Sequence, residues 1–87
     1  MASDNKQLGL LRLMLQLPTV RGQLQLLSAS NASVAGLCEA YGEASEMLER
    51  QRRLGGRDKD LISEFESICR GIEEDVLAIC LIKAGRK

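Results

Sequence analysis

Three cysteines, Cys38, Cys69 and Cys80, are the side chains in this sequence best suited to covalent, redox or metal chemistry. Their spacing argues against all three. Cys69 and Cys80 lie eleven residues apart. On one helix that separation is about 16 Å at about 1.5 Å per residue, too far for a disulfide or a shared ion. No C-x-x-C pair occurs, and a structural zinc site needs a full tetrahedral set of clustered ligands. The chain has no histidine, which removes the commonest general acid/base, the commonest metal ligand and the neutral-pH switch. The expected role of all three thiols is that of small buried hydrophobes. With no secretory signal visible from Met1 to Lys6, they read as reduced cytosolic thiols, and a cytoplasmic location is expected.

The carboxylates give no better site. Glu73, Glu74 and Asp75 are consecutive, so on a helix they point about 100° apart and do not converge on one cation. Glu39, Glu43 and Glu46 share a face, but it is the one expected to meet water. No nucleophile–base pair and no phosphate-binding glycine loop is present, since Gly55 and Gly56 lack the accompanying lysine and strand. The expectation is no enzyme activity, no metal and no cofactor. The strongest charge feature is a basic tip, Arg50, Arg52, Arg53 and Arg57 with Lys59, around the glycine pair. It could contact the phosphates of a nucleic acid. Glu49, Asp58 and Asp60 dilute it, no aromatic stands by to stack a base, and arginine also suits the last turn of a helix.

The elements that would carry these residues are helices. From Leu8 to Leu17 six leucines and a methionine fall within ten residues. Leucine, methionine, glutamine and arginine are strong helix formers and no β-branched residue interrupts them, so the stretch reads as a helix over about 5–16. It ends before Pro18, which disfavours helical geometry in the preceding residue. Asn5, Gly9, Arg12 and Gln16 form its polar stripe. The apolar arc covers roughly 220°, against a little over ~100° for an ordinary surface helix. Such a helix needs cover on two sides. Its polar stripe offers little to anionic lipid, and the longest apolar run, Val76 to Ile82, is seven residues against the ~20 that span a bilayer.

Thr19 can cap a second helix to about Ser28 with Val20, Leu24 and Leu27 on one face. Residues 28–31 read as a break, and Ser30 or Asn31 as the cap of a third helix over about 32–54. Its seam is Val34, Leu37 or Cys38, Tyr41, Ala44 and Leu48, with Glu46–Arg50 and Glu49–Arg53 as surface pairs. Gly55 stops it. Asp58 caps a fourth helix over about 59–83, whose seam is Leu61, Phe65, Ile68, Ile72, Val76 and Ile79, edged by Ile62, Cys69 and Cys80. The short connection predicts an antiparallel hairpin. With Leu48 opposite Phe65, Tyr41 falls near Gly71, which would leave room for its ring, and Cys38 falls opposite about residue 74.

The segment Leu37-Cys38-x-x-Tyr41-x-x-Ala44-x-x-x-Leu48-x-Arg50, followed by a break and Glu64-Phe65-x-x-Ile68-x-x-x-Ile72-Glu73-x-Asp75, resembles a set of short bacterial helical proteins of unassigned function. The likeness covers about residues 34–77. It implies a bacterial cytosolic protein with a two-helix core, and it carries no catalytic residues.

The expected architecture is therefore all-α and a single domain over 1–87. Two leucine-rich N-terminal helices (1–30) pack on a long antiparallel hairpin (31–87) as a small four-helix bundle. Twelve basic and twelve acidic residues give a formal charge of zero, so copies do not repel one another and no global field attracts nucleic acid. A homodimer is expected, with Leu10, Leu11, Leu13, Met14, Leu15 and Leu17 as partner-binding residues. The expected function is a non-enzymatic protein–protein interaction module: a small adaptor, regulator or chaperone-like subunit. The alternative is a nucleic-acid-binding regulator using the arginine tip.

Overall fold

The computed structural model describes residues 2–85, with side chains from Asn5 to Lys83. Over these residues the chain forms α1 (Ala2–Gln16), a 3-10 turn (Pro18–Val20), α2 (Arg21–Ser30), α3 (Ala32–Arg53) and α4 (Lys59–Gly85), with no strand. The alternating leucines of the N-terminal stretch are thus helical, as their side-chain types dictate. Leu17 leaves the helix at φ −125°, ψ 63°, outside the helical region that a following proline disfavours.

The start of α2 differs from expectation. Thr19 lies inside the 3-10 turn, and no side chain caps the helix that begins after Val20. Its end differs as well. Ser28 and Ser30 hydroxyls donate to the Gln25 and Leu26 carbonyls at 2.8 and 3.0 Å, back-bonds that keep both serines within the helix. The break shrinks to Asn31. Its extended backbone ends α2, and its side-chain oxygen accepts the Val34 N–H at 3.1 Å to cap α3. At the other end of α3, Gly55 and Gly56 adopt φ of +102° and +64°. Their N–H groups donate to Arg52 and Gln51 carbonyls at 3.1 and 3.0 Å, a left-handed stop that satisfies the last free carbonyls. Asp58 accepts the Leu61 N–H at 3.0 Å and caps α4.

All the other helices pack on α3, while α1 and α4 scarcely touch. The radius of gyration is 13.4 Å, close to the ~12 Å of a compact chain this long and far from the ~29 Å of an unfolded one. The buried core takes Leu13 from α1 and Val20, Leu24 and Leu27 from the turn and α2. It takes Val34, Cys38, Tyr41 and Ala44 from α3, and Cys69, Ile72, Val76 and Cys80 from α4. The α2 face and the α3 seam are those their spacing indicated. On α4 the buried line is rotated toward the cysteines: Ile68 is 43% exposed, and Leu61, Phe65 and Ile79 are half-buried. The cause is that α4 is covered by α2 and the 3-10 turn as well as by α3, so burial centres between the two contacts.

Two glycines also exchange roles. Gly71 has nothing within 4 Å of where a Cβ would sit, so it makes no room for Tyr41. Gly9 and Gly42 do the close packing. A Cβ on Gly9 would strike the Cys38 carbonyl, and one on Gly42 the Asn5 carbonyl. Helices α1 and α3 therefore meet backbone to backbone. Of the polar stripe Asn5, Gly9, Arg12 and Gln16, the first three lie against α3, while Gln16 is exposed. Backbones this close gain dispersion contacts that a larger residue at either glycine would prevent. Leu13 is fully buried, whereas Leu11 and Leu15 are 58% and 75% exposed.

Candidate interaction site

The cysteines occupy the core. Burial is the main cause that pushes all three thiols above their ordinary pKa, which keeps them protonated and unreactive. For Cys38, Lys6 opposes that rise and Cys80 adds to it. Cys38 and Cys80 both have no exposed surface and belong to the same core cluster. Glu74 and Asp75 are exposed, while Glu73 is half-buried. Among the described residues no group of three or more cysteines and carboxylates is placed to hold a metal ion.

At the basic tip the arginines are partly committed. Arg52 pairs with Glu66 at 2.7 Å and Arg53 with Glu49 at 3.4 Å. Arg57 and Lys59 alternate with Asp58 and Asp60 around one shallow hollow, and Arg50 is exposed. Carboxylates interleave the cations, so no continuous positive surface forms, which weighs against the phosphate-binding reading. The expected Glu46–Arg50 pair is not among the ion pairs of the described residues; the Glu49–Arg53 pair is.

Because α1 and α4 lie on α3 without meeting each other, a groove of about 530 Å³ opens between them. Its floor is Tyr41, Ser45, Leu48 and Cys69; Arg12 and Leu15 stand on the α1 wall, Arg70 and Glu73 on the α4 wall. Arg12 reaches across to donate to Ser45 Oγ at 2.8 Å and to Glu49 at 3.2 Å, with its apolar stem lying along the helix contact. The Tyr41 hydroxyl donates to Glu73 Oε2 at 2.5 Å. Arg70 makes no hydrogen bond or ion pair among the described residues. Ser45 donates to the Gly42 carbonyl at 3.3 Å and has no base beside it, so the groove holds no activated nucleophile. It has leucine at its edge and charges of both signs on its walls.

Of the leucine-helix residues expected to bind a partner, Leu13 is sealed inside. Leu10, Met14 and Leu17 are half-buried against the core, and Leu11 and Leu15 face outward. The groove itself was not foreseen, because its residues come from three helices and the contacts that tie them, Arg12–Ser45 and Tyr41–Glu73, span more than thirty positions each. The signal available was Arg12, a cation set among the leucines of α1, together with the two glycines that bring α1 down onto α3.

Tyr41 is held above its ordinary pKa, first by burial and then by its hydrogen bond to Glu73 and that carboxylate's charge. A group with a raised folded pKa stabilises the fold below its unfolded value and loses that contribution as pH climbs toward the folded one. The cysteines act in the same direction. Thermal stability should therefore decline from about pH 9 upward. The single tyrosine should not ionise, followed by its ultraviolet absorbance, until the fold opens. Ionisation near pH 10 with helicity intact would contradict the buried Tyr41–Glu73 contact.

Compared with protein-family models, curated proteins and solved structures, the chain matches none.

Proposed function

We propose that this chain is a non-enzymatic protein–protein interaction module, a small adaptor or regulatory subunit of the cytosol, that works as a homodimer through the outward side of α1. The observation that carries the reading is the placement of Leu11 and Leu15, one turn apart on α1 and 58% and 75% exposed, with Leu26 of α2 68% exposed. Single exposed leucines are ordinary. Leu15 lines the groove and Leu11 stands one turn before it on the same face of α1, so the two form an edge that a second apolar surface can cover, each leucine gaining about 2 kcal/mol when fully buried. A net charge of zero leaves no long-range repulsion between copies.

Size-exclusion chromatography with light scattering, run over a range of concentrations, tests this. The wild type should elute at twice the 9.5 kDa chain mass. The Leu11→Glu, Leu15→Glu double variant should elute at the single mass with unchanged helicity, since neither leucine contributes to the core. A wild type that stays at the single mass at every concentration would overturn the dimer.

A further inference from the structure

Resting on the dimer just proposed, we infer that two copies meet groove to groove about a two-fold axis crossing the helices, with Leu11 of each copy against Leu15 of the other and Arg70 of each against Glu73 of the other. In a two-fold interface, if residue i meets residue j, then j meets i. The surface must therefore carry pairs that answer each other when the chain direction is reversed. The α1 side offers one such pair in Leu11 and Leu15, two exposed residues four apart on one helix face, of which Leu15 lines the groove. The α4 wall offers another in Arg70 and Glu73. These are three apart and so share a helix face, and they are opposite in charge. Arg70 has no partner among the described residues, and Glu73 receives only the Tyr41 hydroxyl.

The two pairs also stand at one level of the molecule. Arg12, between the two leucines, is tied to Ser45 of α3. On α4, that level is bracketed by the Tyr41–Glu73 and Arg52–Glu66 contacts, so it falls between 66 and 73. A single axis through the groove thus relates both pairs at once. The other charges of the groove are internally matched, Arg12 with Glu49 and Arg52 with Glu66, so they neither demand nor repel a partner. A second copy is the occupant this surface fits. It brings the same leucine edge and the complementary charges, with no net field to overcome.

Charge reversal tests the arrangement at low salt, where such pairs are least screened. In Arg70→Glu, two carboxylates face each other twice across the axis; in Glu73→Arg, two guanidiniums do. Each variant alone should dimerise at least about tenfold more weakly than wild type, while an equimolar mixture of the two restores both pairs and should bring dimerisation back to within about threefold. The Arg70→Glu, Glu73→Arg double exchange should also recover. If the single reversals leave a dimer that Leu11→Glu, Leu15→Glu still dissociates, the groove assignment is wrong while the function proposed above stands. If the mixture stays as weak as either variant alone, the reciprocal pairing is wrong. A wild type that never dimerises overturns both proposals.

Discussion

Replacing Gly42 by alanine destabilises the fold by about 2–3 kcal/mol, although alanine is the better helix former by up to about 1 kcal/mol. The sign is set by what the added methyl meets. At Gly42 it would collide with the Asn5 carbonyl and crowd the backbone of Gly9, and backbone within two rigid helices cannot give way as a side-chain tip can. The contact opens instead, and α1 loses its seat on α3. Gly36→Ala on the same helix is the control. Its Cβ has nothing within 4 Å, so the intrinsic preference acts alone and alanine stabilises by about 0.5–1 kcal/mol. Urea denaturation midpoints for the two variants should move in opposite directions. If Gly42→Ala equals or exceeds wild type in stability, the backbone-to-backbone crossing does not exist as described.

Leu13→Ala costs about 2–5 kcal/mol, whereas Leu15→Ala, two positions along the same helix, costs less than about 0.5 kcal/mol. Leu13 has no exposed surface and packs in the one continuous core, so truncation leaves a void that close-packed neighbours fill only in part. Leu15 is three-quarters exposed, and within a single copy its truncation removes almost no contact. Stability should be compared at low protein concentration, because dimerisation adds a concentration-dependent term that Leu15→Ala would also reduce. The total stability of a chain this size is only about 4–13 kcal/mol, so Leu13→Ala should sit near the edge of folding. Equal costs at the two positions would mean that α1 presents a different face to α3.

These two predictions also separate what could be read along the chain from what could not. The seam of α3 and the buried face of α2 follow the three–four spacing of Val34, Cys38, Tyr41 and of Val20, Leu24, Leu27, although each helix packs on more than one neighbour. Asn31, Asp58 and Gly55 act where capping chemistry requires them, since a cap depends on local backbone alone. The spacing failed on α4 and on α1. The α4 line shifted toward Cys69 and Cys80 because α2 shares the contact. On α1, hydropathy placed Gly9 and Arg12 in water, whereas shape placed them against α3; a glycine has no hydrophobic signature by which to announce that it packs. The groove was illegible for a related reason. Its residues are unremarkable on their own helices and become a surface only once Gly9 and Gly42 fix the distance between them.

The central position of α3 has a bearing on motion. Helices α1 and α4 each lean on it and scarcely on one another, so they resemble two leaves hung on one post. An event at one flank reaches the other by way of α3, or by way of α2, which touches all three. A chain arranged in this way can loosen one flank to admit a visitor while the opposite flank keeps its grip.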